Sequence, residues 1–368
     1  MVAKRKIDEY YMNRALSLAW RGTGKTTPNP KVGCVLVRDG RVLGEGYHAR
    51  CGGDHAEVAA LKSAAVRGES VRGCTAYVTL EPCSHFGKTP PCAPRLVEEG
   101  IVRAVVGAVD PNPKVKGSGL EILRSAGLEV GPLCLEEQSK WLNRGFFRSK
   151  TLGRPWITLK AAAGLDGRLS LAGGVSKWIT GEISRTWAHG IRALNDAVLV
   201  GVGTVLKDDP ELTVRGVPGA SPLRVVLDAE LSTPPGARIL QGGCLILTAE
   251  ASSFKRERLE RVGAQVCVLP AVDGRLDLSA VVAELNARGV QMLMVEGGPR
   301  VLGAFVKAGL CDSLELFVAF SLMGRGCGML DELCFESMGE AVLLNNTRIR
   351  RSGEDFLVEG RFACSPDL

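Results

Sequence analysis

His55-Ala56-Glu57, followed downstream by Pro82-Cys83 and Cys92, is the stretch whose reading decides the first half of this chain. One imidazole and two thiolates can hold Zn2+ tetrahedrally and keep a fourth position for water, whose pKa falls from about 15.7 to roughly 7 in such a site. A carboxylate that is not itself a ligand then moves the proton. Glu57 is therefore the candidate catalytic residue, and His55, Cys83 and Cys92 are the candidate metal ligands. This set matches hydrolytic deamination of an amino-substituted pyrimidine, whose signature is H-x-E followed by P-C-x-x-C, although here eight residues separate the cysteines. A closed structural zinc site, with Cys51, Cys74 or His85 as fourth ligand, is the alternative reading.

Residues 56–65 predict a helix after the turn Cys51-Gly52-Gly53-Asp54, which places His55 and Glu57 at its start, and 93–99 predict another just after Cys92. Thiolates near helix starts are favoured by the dipole. Working outward, 32–37 and 41–46 flank the hairpin signal Asp39-Gly40. Strands at 75–80 and 102–109 alternate with the two helices and a third near 120–126. That order predicts a mixed sheet with helices on its faces, and Pro82-Cys83 falls beyond the carboxyl end of a strand, where ligands gather. Asp8 reads as the cap of an N-terminal helix with Met12, Ala15, Leu16 and Ala19 on one face and Gly22 after its end. A helix over 135–147 leads into the polar segment 148–155, which divides the chain into domains 1–150 and 151–368.

The second half restarts the alternation, with strands near 156–160, 196–201, 223–227, 245–248, 266–269 and 292–295 predicting a second mixed sheet. Gly201-Val202-Gly203-Thr204 and Glu296-Gly297-Gly298-Pro299-Arg300 each follow an apolar strand, where glycine lets backbone approach a phosphate and a helix start supplies N–H donors. Leu206 stands where a dinucleotide fingerprint requires its third glycine, so plain tight turns are the local alternative.

A chain of 368 residues suits two domains, with no secretory h-region after the basic start and no apolar run near membrane-spanning length. Twelve cysteines without such a signal point to a reducing, cytoplasmic setting rather than a disulfide framework. The net charge of +6 is unevenly shared, with the first 150 residues positive and the remainder slightly negative. A basic half suits a phosphorylated small substrate or RNA; because no dense basic run or interleaved aromatic platform is present, scattered surface lysines and arginines are the alternative reading, and charge alone decides little.

Glu81-Pro82-Cys83-Ser84-His85-Phe86-Gly87-Lys88-Thr89-Pro90-Pro91-Cys92, Thr27-Pro28-Asn29-Pro30-Lys31-Val32-Gly33 and Asp110-Pro111-Asn112-Pro113 resemble the bifunctional riboflavin-biosynthesis deaminase/reductase family, which carries this longer cysteine loop. Leu159-Lys160-Ala161-Ala162-Ala163-Gly164-Leu165-Asp166-Gly167-Arg168, Ser176-Lys177-Trp178-Ile179-Thr180, the run from Asp208 through Arg215, and Val295-Glu296-Gly297-Gly298 resemble its reductase half. The resemblance implies an α/β chain of two domains: an N-terminal cytidine-deaminase-like α/β/α sandwich with a mixed sheet and a C-terminal dihydrofolate-reductase-like domain. It implies Zn2+ and NADPH as cofactors. The reactions implied are deamination of 2,5-diamino-6-(5-phosphoribosylamino)pyrimidin-4(3H)-one, then reduction of its ribosyl side chain to ribityl. By motif position, Ala162, Trp178, Thr204, Asp208, Gly298, Pro299, Arg300, Val301, Leu302, Gly303 and Ala304 would contact the cofactor. Asn29, His85, Lys88, Ser176, Arg192, Leu212, Arg215 and Glu296 would contact substrate. Two departures are Gly164, where the family usually has serine, and Ala229, where a hydroxyl often follows the aspartate. The expected partners are a phosphorylated pyrimidine and further copies of the chain, with no nucleic acid and no membrane.

Overall fold

A computed structural model of the chain describes residues 2–86, 90–113, 115–331 and 333–368. It divides into two compact units, the first ending at Gly153 and joined by Leu368, the second running from Arg154 to Asp367. The first unit runs α1 (Val2–Trp20), β1 (Gly33–Arg38), β2 (Arg41–Tyr47), α2 (Ala56–Val66), β3 (Thr75–Val78), α3 (Cys92–Glu98), β4 (Arg103–Val106), α4 (Ser118–Ser125), β5 (Glu129–Val130), α5 (Glu136–Leu142) and α6 (Arg144–Leu152). Its five strands lie in the order β2-β1-β3-β4-β5. β1 is antiparallel to β2 and β3, whereas β3, β4 and β5 are parallel. Asp39 and Gly40 both have positive φ, as the two-residue hairpin turn requires.

The central strands β1, β3 and β4 are buried on both faces, which is why they read as near-continuous apolar runs. Cys34, Leu36, Ala76, Val78 and Ala104 pack with α2, α3 and α4. The alternate residues Val35, Val37, Tyr77 and Val105 pack with Met12, Ala15, Leu16 and Ala19 of α1. The N-terminal helix therefore presents the face expected of it, but Asp8 is not its cap. The helix extends back to Val2, and Asp8 sits inside it, accepting from Arg103 at 2.7 and 2.8 Å and from the Tyr77 hydroxyl at 2.9 Å. The helix expected over 135–147 is broken at Asn143, whose side chain accepts from Lys31 N and donates to Lys31 O, each at 2.8 Å.

The second unit runs β6 (Trp156–Gly164), α7 (Glu182–Ala193), β7 (Ala197–Gly201), α8 (Val202–Asp208), β8 (Leu223–Leu227), β9 (Cys244–Thr248), α9 (Ser253–Glu260), β10 (Ala264–Val268), β11 (Ala271–Val272), β12 (Arg275–Leu276), α10 (Leu278–Ala287), β13 (Met292–Val295), α11 (Pro299–Lys307), β14 (Ser313–Ala319), β15 (Leu344–Ser352) and β16 (Asp355–Phe362). Nine strands form one mixed sheet in the order β10-β9-β8-β7-β13-β6-β14-β16-β15. Leu199, Val225, Leu245 and Leu293 face α10 and α11, while Val198, Val200, Val226 and Ile246 face α8 and α9, the period of two expected of a doubly covered sheet. Asp312 accepts from both terminal nitrogens of Arg154 (2.6 and 3.1 Å), from Ile157 N (2.8 Å) and from the Ser365 hydroxyl (2.7 Å).

Candidate active sites

In the first unit, His55 occupies the extended position before α2, and Cys92 opens α3, one residue earlier than the pattern suggested. Cys83 is held against that helix start: its Sγ accepts from Cys92 N at 3.2 Å and its carbonyl accepts from Ala93 N at 3.1 Å. These local bonds bring His55 Nδ1 to 3.5 Å from the Cys83 sulfur and 3.3 Å from that of Cys92. Zinc bonds of about 2.3 Å to sulfur and 2.05 Å to nitrogen, at a tetrahedral angle, would separate those atoms by about 3.6 Å. The donor set and its spacing fit zinc. Among the described residues these three form the one such cluster, and Cys51, Cys74 and His85 stand outside it.

Glu57 lies in the first turn of α2 and is 4% exposed. Burial, then the Cys83 charge, push its carboxyl up to about 7. The Cys83 thiol is driven down to about 4 by hydrogen bonds from Cys92 and His55, while the Cys92 thiol is pushed up by Cys83 and by burial. The two sulfurs thus carry a negative charge that a cation would neutralise. His48 was not anticipated. It is 3% exposed, its ring packs edge-on to His55 at 5.5 Å, and Nδ1 lies 2.9 Å from Asp54 O. Because a carbonyl only accepts, Nδ1 carries the proton, and Nε2 accepts from the Asn29 amide at 3.2 Å. Asn29 is therefore joined to the metal cluster through His48. His85 is exposed, and Lys88 lies outside the described residues.

Glu81, also unanticipated, gathers the loop opposite Cys83. Its carboxylate accepts from Asp110 N (3.1 Å), Gly117 N (3.0 Å), Gly119 N (2.8 Å) and Leu120 N (3.4 Å), so it caps α4 from another element. The Ser84 and Ser118 hydroxyls add a 2.6 Å bond between the same two segments.

In the second unit the candidate residues collect at the carboxyl ends of β6, β7 and β13. Gly203 and Thr204 belong to α8 rather than to a plain turn. A Cβ at Gly201 would lie 2.8 Å from Val301, and one at Gly297 2.5 Å from it, so both glycines admit the first turn of α11 against the strand ends. Gly298, Pro299, Arg300, Val301, Leu302, Gly303 and Ala304 make up that turn and its continuation, in which Val301 N and Leu302 N both donate to Gly298 O, and the start carries the positive end of the helix dipole. This cradle fits a dinucleotide phosphate. Lys177 donates to the Asp208 carbonyl at 2.8 Å, drawing Ser176 and Trp178 toward the end of α8. Trp178 is 71% exposed, with Arg185 4.7 Å above its ring. Ala162 lies in β6, which ends at Gly164.

Beside this cradle stands a buried ion cluster. Glu296 accepts from Arg192 Nε at 2.8 Å and Nη2 at 3.0 Å, and from Lys160 at 3.4 Å. Lys160, to which the motif reading gave no role, is placed there by the parallel register that aligns Leu159 with Val295. Burial raises the Glu296 carboxyl, but Arg192 and Lys160 outweigh it and hold the group at about 2. Arg192 also donates to Thr213 O at 2.7 Å, Leu212 is buried with positive φ, and Arg215 donates to Glu211 at 2.7 Å. At Gly164, a Cβ would lie 2.7 Å from Ser321 O, so the strand end is packed to fit glycine. Asp228 accepts from Ser232 N, Thr233 N and the Thr233 hydroxyl, which satisfies it without a hydroxyl at Ala229.

Comparison with known proteins agrees with this geometry. Residues 5–108 match the cytidine and deoxycytidylate deaminase zinc-binding region, and residues 155–358 match the RibD C-terminal domain. The chain is 44% identical to the riboflavin biosynthesis protein RibD of Aquifex aeolicus over 357 residues, covering 96% of this chain and 98% of the relative. It is 42% identical to RibD of Escherichia coli over 364 residues, covering 95% and 97%. The chain belongs to the RibD family. The solved structure of Acinetobacter baumannii RibD superposes with a TM-score of 0.89 at 35% identity, covering 98% of this chain and 99% of that one. The Thermotoga maritima diaminohydroxyphosphoribosylaminopyrimidine deaminase/5-amino-6-(5-phosphoribosylamino)uracil reductase gives 0.87 at 36%, covering 98% and 100%. As a RibD protein the chain is a bifunctional deaminase and reductase of riboflavin biosynthesis, with Zn2+ and NADPH as cofactors. Among the described residues no helix is long and apolar enough to cross a membrane.

Proposed function

We propose that residues 1–150 deaminate 2,5-diamino-6-(5-phosphoribosylamino)pyrimidin-4(3H)-one and that residues 151–368 reduce the ribosyl side chain of the product. The observation that carries the first assignment is the three-ligand cluster of His55, Cys83 and Cys92 beside the buried carboxyl of Glu57. Zinc held by these three side chains would supply a water acidic enough to act as nucleophile near neutral pH. Glu57 would carry one proton of that water to the ring nitrogen as the C–O bond forms, and the second to the amino group as the C–N bond breaks and ammonia leaves. Asn29, fixed by His48, and His85 and Lys88 on the cysteine loop contact the pyrimidine or its phosphate.

For the second reaction, NADPH held in the second unit would supply a hydride to sugar C1 of the ring-opened imine, a proton on the imine nitrogen completing the reduction to ribityl. Ala162, Trp178, Thr204, Asp208 and the run from Gly298 through Ala304 bind and orient the cofactor, the helix start taking a phosphate. Ser176, Arg192, Leu212, Arg215 and Glu296 hold the substrate. Arg192 and Lys160 keep Glu296 ionised, so this wall presents fixed charge.

The substrate is a free phosphorylated pyrimidine rather than nucleic acid. The enzyme works in the cytoplasm, where its twelve free cysteines stay reduced, and as a homo-oligomer. A coupled assay on the diaminopyrimidine phosphate, following ammonia and NADPH together, tests the whole reading. Both signals should appear, and activity confined to a polynucleotide would overturn it.

A further inference from the structure

The loop after α8, which carries Leu212, Thr213 and Arg215, is tied to α7 through His189, a residue none of the preceding roles uses. Its Nδ1 lies 3.3 Å from Arg192 Nη1 and 3.3 Å from the backbone N of Arg215. A guanidinium and a peptide N–H are donors only, so a ring nitrogen that meets both presents its lone pair, and the proton of the neutral imidazole sits on Nε2. Arg192 is otherwise committed, through Nε and Nη2 to Glu296 and through Nη1 to Thr213 O. The imidazole acceptor thus joins helix, loop and ion cluster in one network.

We propose that His189 is a positioning residue for the reductase substrate: as a neutral acceptor at Nδ1 it fixes Arg192 and the backbone of Arg215, and so the Leu212–Arg215 wall that meets the phosphorylated pyrimidine. This rests on the assignment of Arg192, Leu212 and Arg215 as substrate contacts. Protonation of the ring would remove both bonds and set a third cation beside two guanidiniums. Burial, Arg192 and Arg215 all disfavour that state, whereas Glu296 and the Thr213 carbonyl favour it, and the net shift of the imidazole is downward. Glu211, on the same loop, is engaged by Arg215 and Arg238.

The test is a Michaelis analysis of the full-length enzyme with the deaminated substrate, comparing wild type, His189→Gln and His189→Asn. The oxygen of asparagine stands two bonds from Cβ, as Nδ1 does, whereas that of glutamine stands one bond further. Losing one well-placed acceptor corresponds to about a tenfold rise in substrate KM for His189→Gln, with kcat and the KM for NADPH within about twofold and His189→Asn close to wild type. Lowering the pH below about 6.5 should raise the wild-type substrate KM more steeply than that of His189→Asn, which shares only the titration of the substrate phosphate, near 6. A wild-type KM in His189→Gln, or superimposable pH profiles for wild type and His189→Asn, would overturn the proposal. Arg215→Ala separates the two levels. An unchanged KM there removes the underlying site assignment, whereas a raised KM beside a normal His189→Gln removes the role of His189 alone.

Discussion

Glu57 and Glu296 are both carboxylates largely withdrawn from water, one in each unit, and their surroundings drive them in opposite directions. Glu57 faces sulfur, and burial together with the Cys83 charge raises it to about 7. Glu296 meets the same burial, but two cations hold it at about 2. A group that must accept and release a proton works best when its two states lie close in energy. A group that must order neighbouring side chains works best when it stays in one state. In the proposed function the same functional group serves these two purposes, and the difference lies in what was buried with it.

Replacing Glu57 by Gln should cut ammonia release by about 10^3–10^4-fold. Metal content measured on the purified variant should be unchanged, and NADPH oxidation with the deaminated substrate should persist. Retained ammonia release would end the contrast at its first side. Glu296→Gln leaves Arg192 and Lys160 around a neutral amide, and breaking such a buried pair should cost the second unit about 3 kcal/mol in urea unfolding. A cost near zero would make the cluster energetically idle.

The two carboxylates contribute pH dependences of opposite sign. Glu57 has a raised folded pKa, so at that carboxyl the folded metal-stripped protein binds more protons than the unfolded chain between about 4.5 and 7. The Glu57 contribution to stability should therefore fall by about 2–3 kcal/mol as pH rises through that window, while the Cys83 thiol, depressed in the folded protein, contributes in the opposite direction; the Glu57 part is read as the difference between wild type and Glu57→Gln. Glu296 has a depressed folded pKa, so its contribution is complete above about 4.5 and is lost as pH falls toward 2. Unfolding of chelator-treated protein across this range checks both signs. The smallest effect belongs to Glu81→Gln, which replaces one of two accepting oxygens and should cost about 1–2 kcal/mol, with faster loss of zinc to a chelator.

The metal trio was legible because its ligands sit on two short local signals, a helix start after His55 and a cysteine loop closed by another helix start. The central strands were legible because burial on both faces makes them apolar throughout. Asp8 misled because its side chain answers to Arg103, 95 residues away, and not to its own helix. β15 went unread because almost every residue in it is exposed, leaving no alternation to see, and only its ladder with β16 defines it. The ion cluster of the second unit escaped for a related reason. Lys160, Arg192 and Glu296 are spread over three elements, and it is the strand register that turns a lysine inside an apolar run into a partner of Glu296.

Asp312 binds Arg154 at the beginning of the second unit and Ser365 close to its end. Entry and exit of that unit therefore share one doorway, so a neighbour can be spliced on at either terminus without the fold having to stretch a connecting strap across its surface. Modular gene fusion, the arrangement in which two consecutive activities travel on a single polypeptide, asks little more of a protein than this.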